Sequence, residues 1–96
     1  MGANQSLLSI ATSSKGDTVS IHADLEGLQI LERAISALRA ALVENACEHD
    51  HLRSKEWAGR ELTTSMLEAE KNEGYKSVHH VKLYSWIKEW KGRHGL

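Results

Sequence analysis

The chain has 96 residues, enough for one domain, with 41% apolar and 26% charged residues and a net charge of -1. That balance excludes a global nucleic-acid signal, no stretch reaches the ~18 apolar residues needed to span a membrane, and a single cysteine, Cys47, excludes an intramolecular disulfide. Phe and Pro are absent, so the core must be aliphatic, with Trp57, Tyr75, Tyr84, Trp86 and Trp90 as the only aromatics.

Residues 6–12, SLLSIAT, and 18–23, TVSIHA, flank the turn cluster 13–17, SSKGD, and read as a β-hairpin. Leu8 and Ile10 would share the buried face of the first strand, and Val19 and Ile21 one face of the second. Asp24 is a good N-cap for a helix over about 25–45. Leu28, Leu31, Ile35, Leu38 and Leu42 recur at spacings of three and four and predict one apolar stripe, with Ile35 at its centre. CEHDHLRS, 47–54, follows as a strand. Residues 53–61 are polar around Trp57, with Gly59 as a breaker. LTTSMLEAEKNEG reads either as a short helix opened by a Ser65–Glu68 capping box or as a brief strand over ELTTSM. Residues 75–86, YKSVHHVKLYSW, are the longest strand candidate, and the tail adds a short turn of helix.

The expected architecture is therefore α+β. It is a mainly antiparallel sheet of about four strands in the order β-β-α-β-β, with one long helix packed on one face. It forms a single small domain whose residues 1–5 and 92–96 are flexible. The opposite sheet face is solvated, covered by 53–74, or used for association, including a homodimer.

The densest chemistry lies in CEHDHL, 47–52, and in the pair His79–His80. On a strand, a period of two places Cys47, His49 and His51 on one face and Glu48, Asp50 and Leu52 on the other. Cys47, His49 and His51 joined by His79 or His80 are one candidate, a zinc site. C-x-x-C spacing is missing, however, and same-face strand neighbours stand ~7 Å apart. The metal site is thus the alternative, and no cofactor is expected. A nucleophile reading would activate Cys47 with His49 or His79, oriented by Asp50 or Glu48. Nothing brings these groups together, and no phosphate loop or hydrolase motif is present, so an enzyme is not expected.

The favoured reading is a polar surface that grips another macromolecule, built from Glu48, His49, Asp50, His51, Trp57 and His80. Trp57 is either a plug over the open sheet face or an exposed binding anchor, and Trp86 and Trp90 are read as core. Charge is uneven along the chain. Residues 1–50 hold seven acids and three bases, a balance of -4, and residues 51–96 hold six acids and nine bases, a balance of +3. Lys82, Lys88, Lys91 and Arg93, interleaved with aromatics, leave nucleic-acid binding as a further alternative.

Three motifs carry a resemblance: E-H-D-H-L after a long helix, then E-W-x-G-x-E-L-T, then H-V-K-L-Y-x-W near the C-terminus. Together they resemble the small immunity proteins of bacterial polymorphic toxin systems, in particular the family named immunity protein 32. The resemblance spans roughly 24–87 and rests on His49, His51, Leu52, Trp57, Gly59, Glu61, Leu62, His80, Val81, Lys82 and Tyr84. Trp57-Ala58-Gly59 departs from the Trp-Gly-Gly form expected of that family. The resemblance implies a cytoplasmic antitoxin that binds a cognate protein toxin and blocks it; composition and charge add the expectation of no membrane partner and of nucleic acid as a minor prospect. Glu44, Glu48 and Asp50 would then face a basic cleft on the toxin.

Overall fold

The computed structural model describes residues 6–96, so the flexibility expected of 1–5 lies outside the described residues. The fold is α+β, with antiparallel strands and one long helix. Strands β1 (Leu8–Thr12) and β2 (Val19–Ala23) form the expected hairpin, with Leu8 opposite Ala23 and Thr12 opposite Val19. The Ser13 hydroxyl closes the turn by accepting from the amides of Asp17 and Thr18, and Gly16 supplies the positive φ of 74° there. Helix α1 (Leu25–Ala41) follows at once, because the Asp24 carboxylate accepts from the Gly27 amide at 2.8 Å and caps it.

The sheet is not one four-stranded layer. Five strands form two hydrogen-bonded units, ordered β2-β1-β4 and β3-β5, where β3 is Cys47–Arg53, β4 is Lys76–Ser77 and β5 is His80–Trp86. The single strand expected over 75–86 is broken at Val78–His79. Its first part pairs with β1, and the Val78 amide donates to the Ile10 carbonyl. Its second part pairs with β3 over seven residues. At the break the Ser54 amide donates to the His79 carbonyl, so the chain leaves one sheet as it joins the other.

The core is small and aliphatic: Leu8, Ile10, Ala34, Leu52 and Leu62, with Ile30, Leu31, Val78, Val81 and Leu83 packed around it. The inward face of the helix coincides only in part with the predicted leucine stripe: Leu38 is buried and Leu31 packs against the core, as expected. Gly27, Ala34 and Leu38 are buried, whereas Leu28 and Ile35 are 49% and 46% exposed. At 100° per residue the buried stripe is rotated by roughly 60° from the leucine stripe. The cause is close approach: a Cβ on Gly27 would overlap the Leu7 carbonyl oxygen, so only the smallest residues fit between helix and strand. Val19 and Ile21 are also exposed: β2 is an edge strand, and the helix meets it only at its Ala23 end.

The second face of β1 is covered by the segment after residue 61, which resolves the two readings of LTTSMLEAEKNEG. Leu62 and Thr63 bridge Ser54 and Ser9 in strand fashion, and a short helix, α2 (Glu68–Asn72), follows. Ser65 does not cap it. Instead the buried Glu70 carboxylate accepts from the Leu67 amide and from His22 Nε2. The Leu67 amide, followed by the His22 bond, holds Glu70 below the usual carboxylate range. Ser9, 2% exposed, bonds Thr63 Oγ1 at 2.6 Å and accepts from the Ser65 amide. β1 is thus covered on both faces, whereas the outer side of the β3–β5 ribbon is uncovered over its whole length. Among the described residues no helix is long and apolar enough to cross a membrane.

Candidate functional site

Alternation decides what the β3–β5 ribbon shows to solvent. Leu52, Val81 and Leu83 point at the core, and Ser85 donates to the Leu38 carbonyl, so Glu48 and Asp50 lie on that helix side too. The outer side carries Cys47, His49, His51 and Arg53, opposite Trp86, Tyr84, Lys82 and His80 respectively. The expected surface of Glu48, His49, Asp50, His51, Trp57 and His80 is therefore divided. His49, His51, Trp57 and His80 come together, while Glu48 and Asp50 accept from the amides of His49 and His51 at 3.0 and 2.8 Å and sit on the other side. Glu48 still approaches His49 Nδ1, at 3.8 Å.

The outer face is an unbroken chain of nine rings. Trp57 lies 5.7 Å from His79 with the planes 7° apart, and 6.4 Å from His80. His80 stacks on His51 at 4.9 Å, His51 meets His49 edge to face at 5.0 Å, and His49 meets Tyr84 at 5.7 Å. Tyr84 continues to Trp86 at 6.2 Å, Trp86 to His94 at 5.0 Å, and His94 to Trp90 at 5.4 Å. Trp90 sits on helix α3 (Lys88–Arg93), where the Arg93 guanidinium lies 5.2 Å above its ring. The tail thus joins the face: His94 contacts both Trp86 and Trp90, and its Nδ1 donates to the Trp90 carbonyl at 2.9 Å.

Trp57 does not plug the core. It is 55% exposed at the end of a short 3-10 turn, Lys55–Trp57, and Trp86 and Trp90 are half-buried on the same outer face. What positions Trp57 is Ser54, a residue the sequence reading passed over. Ser54 is fully buried; its hydroxyl bonds His79 Nδ1 at 2.8 Å, and its carbonyl accepts from the amides of Trp57 and Gly59. Glu61 accepts from the Arg53 amide at 2.9 Å and closes the loop. Gly59 is needed there because a Cβ would overlap Arg53. Ala58 adopts φ 65°, a left-handed conformation that favours glycine. Ser before the turn and Gly after it were the available signals for this loop.

At the centre, His51 Nδ1 and His80 Nε2 are 2.7 Å apart. One ring donates its N–H to the lone pair of the other, which requires at least one neutral imidazole. Desolvation, followed by the charge of Arg53, holds both rings below the ordinary histidine pKa, so the pair is neutral near pH 7.

The alternative metal set does not assemble. Cys47 is exposed opposite Trp86 at the far end of the ribbon from His80, and among the described residues no group of three His, Cys, Asp or Glu side chains converges. A hollow of about 230 Å³ lies under the loop, lined by Lys55, Glu56, Leu62, Thr63, Thr64 and Ser65. The histidines lie outside it. No family model, no curated protein and no solved structure matches this chain.

Proposed function

We propose that this protein is an immunity protein that binds a cognate protein toxin in the cytoplasm through the outer face of the β3–β5 ribbon and occludes it. The observation that carries the reading is the uncovered, ring-lined face itself. A domain with so small a core leaves Trp57 and Tyr84 more than half exposed, at 55% and 54%. Large, stiff aromatic side chains are the residues that supply contact area at protein interfaces for little entropic cost.

The resemblance to immunity protein 32 supports the same reading, residue by residue. His49, His51, Trp57, His80, Lys82 and Tyr84 are the resembling positions that lie on or beside this face. Leu52, Leu62 and Val81 lie in or against the core, and Gly59 and Glu61 shape the loop that holds Trp57. The departure at Ala58 falls where the backbone favours glycine, as the family's Trp-Gly-Gly form would have it. The sum of these observations favours occlusion by a rigid surface over catalysis.

The test is co-expression with the toxin domain, scored by cell survival. Wild type should protect. Trp57→Ala combined with Tyr84→Ala should melt near wild type, since both side chains are largely exposed, and should fail to protect. Full protection by this double variant refutes the proposal. Asp50→Lys is a poor probe, because Asp50 faces the helix and its reversal perturbs folding rather than docking.

A further inference from the structure

The ring-lined face is also segregated by charge, and we infer that it docks an acidic protein surface, with Arg53 and Lys82 as the charged anchors between the aromatic and imidazole rings. This rests on the protein-partner reading above and adds the chemistry of the partner.

Alternation places both carboxylates of β3, Glu48 and Asp50, on the helix side, while the outward positions of the two strands hold Arg53 and Lys82 and no acid. The chain as a whole carries -1, whereas the outward strand positions alone carry two cations; the carboxylates beside them are Glu48, 3.8 Å from His49 Nδ1, and Glu61, which accepts from the Arg53 amide. Among the described residues the side-chain ion pairs are His22–Glu70, His49–Glu48 and Lys71–Glu68; neither Arg53 nor Lys82 is in one. Both are exposed. Two unpaired cations beside the aromatic and imidazole rings can each form a charge-assisted hydrogen bond to a partner carboxylate, which offsets the cost of desolvating them.

The small number of cations, rather than the rings, favours a protein over a single-stranded nucleic acid. Sequence-tolerant strand binding needs aromatic faces open for bases to stack on. Here Trp57 lies nearly parallel to His79, His51 to His80 and Tyr84 to Trp86, with interplanar angles of 7°, 28° and 24°, so each ring has one face against a neighbour, and Trp57 and Tyr84 stay more than half exposed. Two cations on the ribbon are few for a phosphodiester track, whose affinity grows with each phosphate neutralised.

The experiment uses the full chain and its own fluorescence, since Trp57, Trp86 and Trp90 all belong to the ring chain. Poly-L-glutamate is titrated at low and at physiological salt, with an oligothymidylate of similar length as a parallel arm. The expected result is a saturable fluorescence change with poly-glutamate that weakens as salt rises. Arg53→Glu/Lys82→Glu should weaken binding by at least about tenfold, and Arg53→Gln/Lys82→Gln by less. Thermal melts of all variants should stay at wild type, because both side chains are exposed. The inference is overturned by no response to poly-glutamate, by unchanged binding in the Glu variant, or by tighter binding of oligothymidylate. Should the Glu variant still protect cells from the toxin while Trp57→Ala/Tyr84→Ala does not, the protein-partner reading stands and the charge assignment alone fails.

Discussion

Replacing Gly27 by alanine should destabilise this protein, although it raises helix propensity. In a solvent-exposed helix the change contributes about 0.5–1 kcal/mol of stability. Here the added Cβ would overlap the Leu7 carbonyl oxygen, with the Leu7 carbonyl carbon at 2.8 Å and the Ala23 Cβ at 3.3 Å. None of these is the free end of a flexible side chain. The helix must lift from β1, and its start is tied to that strand. The Asp24 amide donates to the Leu7 carbonyl at 3.1 Å, while the Asp24 carboxylate accepts from the amides of Leu7 at 3.0 Å and Gly27 at 2.8 Å. Overpacking of this kind costs ~1–3 kcal/mol, and a lost backbone bond adds about 1 kcal/mol. Net of the propensity gain, the expected loss is about 2–3 kcal/mol, a fall in Tm of roughly 10–20 °C for a domain of this size. Far-UV circular dichroism melts and urea midpoints read it directly. Gly92→Ala is the control, since a Cβ there meets nothing within 4 Å, and its Tm should hold or rise slightly. A Gly27→Ala protein that melts at or above wild type would refute the close helix–strand contact.

Three further outcomes follow from the same geometry. Leu62→Ala, at a 1% exposed core position, should cost about 2–5 kcal/mol, whereas Ile35→Ala, 46% exposed, should cost under about 1 kcal/mol; denaturant midpoints separate them. Ala58→Gly should raise stability by about 0.5–1 kcal/mol, because it relieves a left-handed alanine, and a fall in Tm would contradict the loop conformation. His51 and His80 have pKa values lowered by folding, so the unfolded chain binds more protons and stability rises with pH across their window. The contribution is intact above the ordinary histidine value of about 6.5 and is lost as pH falls through the lowered folded values. His80→Gln should flatten that part of the stability–pH curve. An unchanged slope in the variant would show that the pair does not titrate as a unit.

Strand and helix positions were legible in the sequence because they rest on local physics. Asp24 caps a helix wherever the chain places it, SSKGD turns, and the period of two in CEHDHL separates His49 and His51 from Glu48 and Asp50 before any packing is known. The mainly antiparallel α+β layout followed from element order. The inward face of α1 was legible only in part, because leucine spacing marks apolar surface and not the side that must approach a strand. The Leu7 carbonyl demands glycine at position 27, and the inward side it fixes buries Ala34 and Leu38 and leaves Leu28 and Ile35 exposed; Leu7 lies 20 positions before Gly27 in sequence. The break at Val78–His79 was likewise hidden in one apolar run, since only the competing partners Ile10 and Ser54 reveal that two sheets share it. The ring-lined face needed both kinds of information. Alternation decided which side each histidine takes, but the join of Trp57, His79, His80, His51, His49, Tyr84, Trp86, His94 and Trp90 depends on cross-strand register and on the Ser54 turn. Those contacts are between residues as much as 35 positions apart, as for His49 and Tyr84, and only the folded chain brings such partners onto one surface.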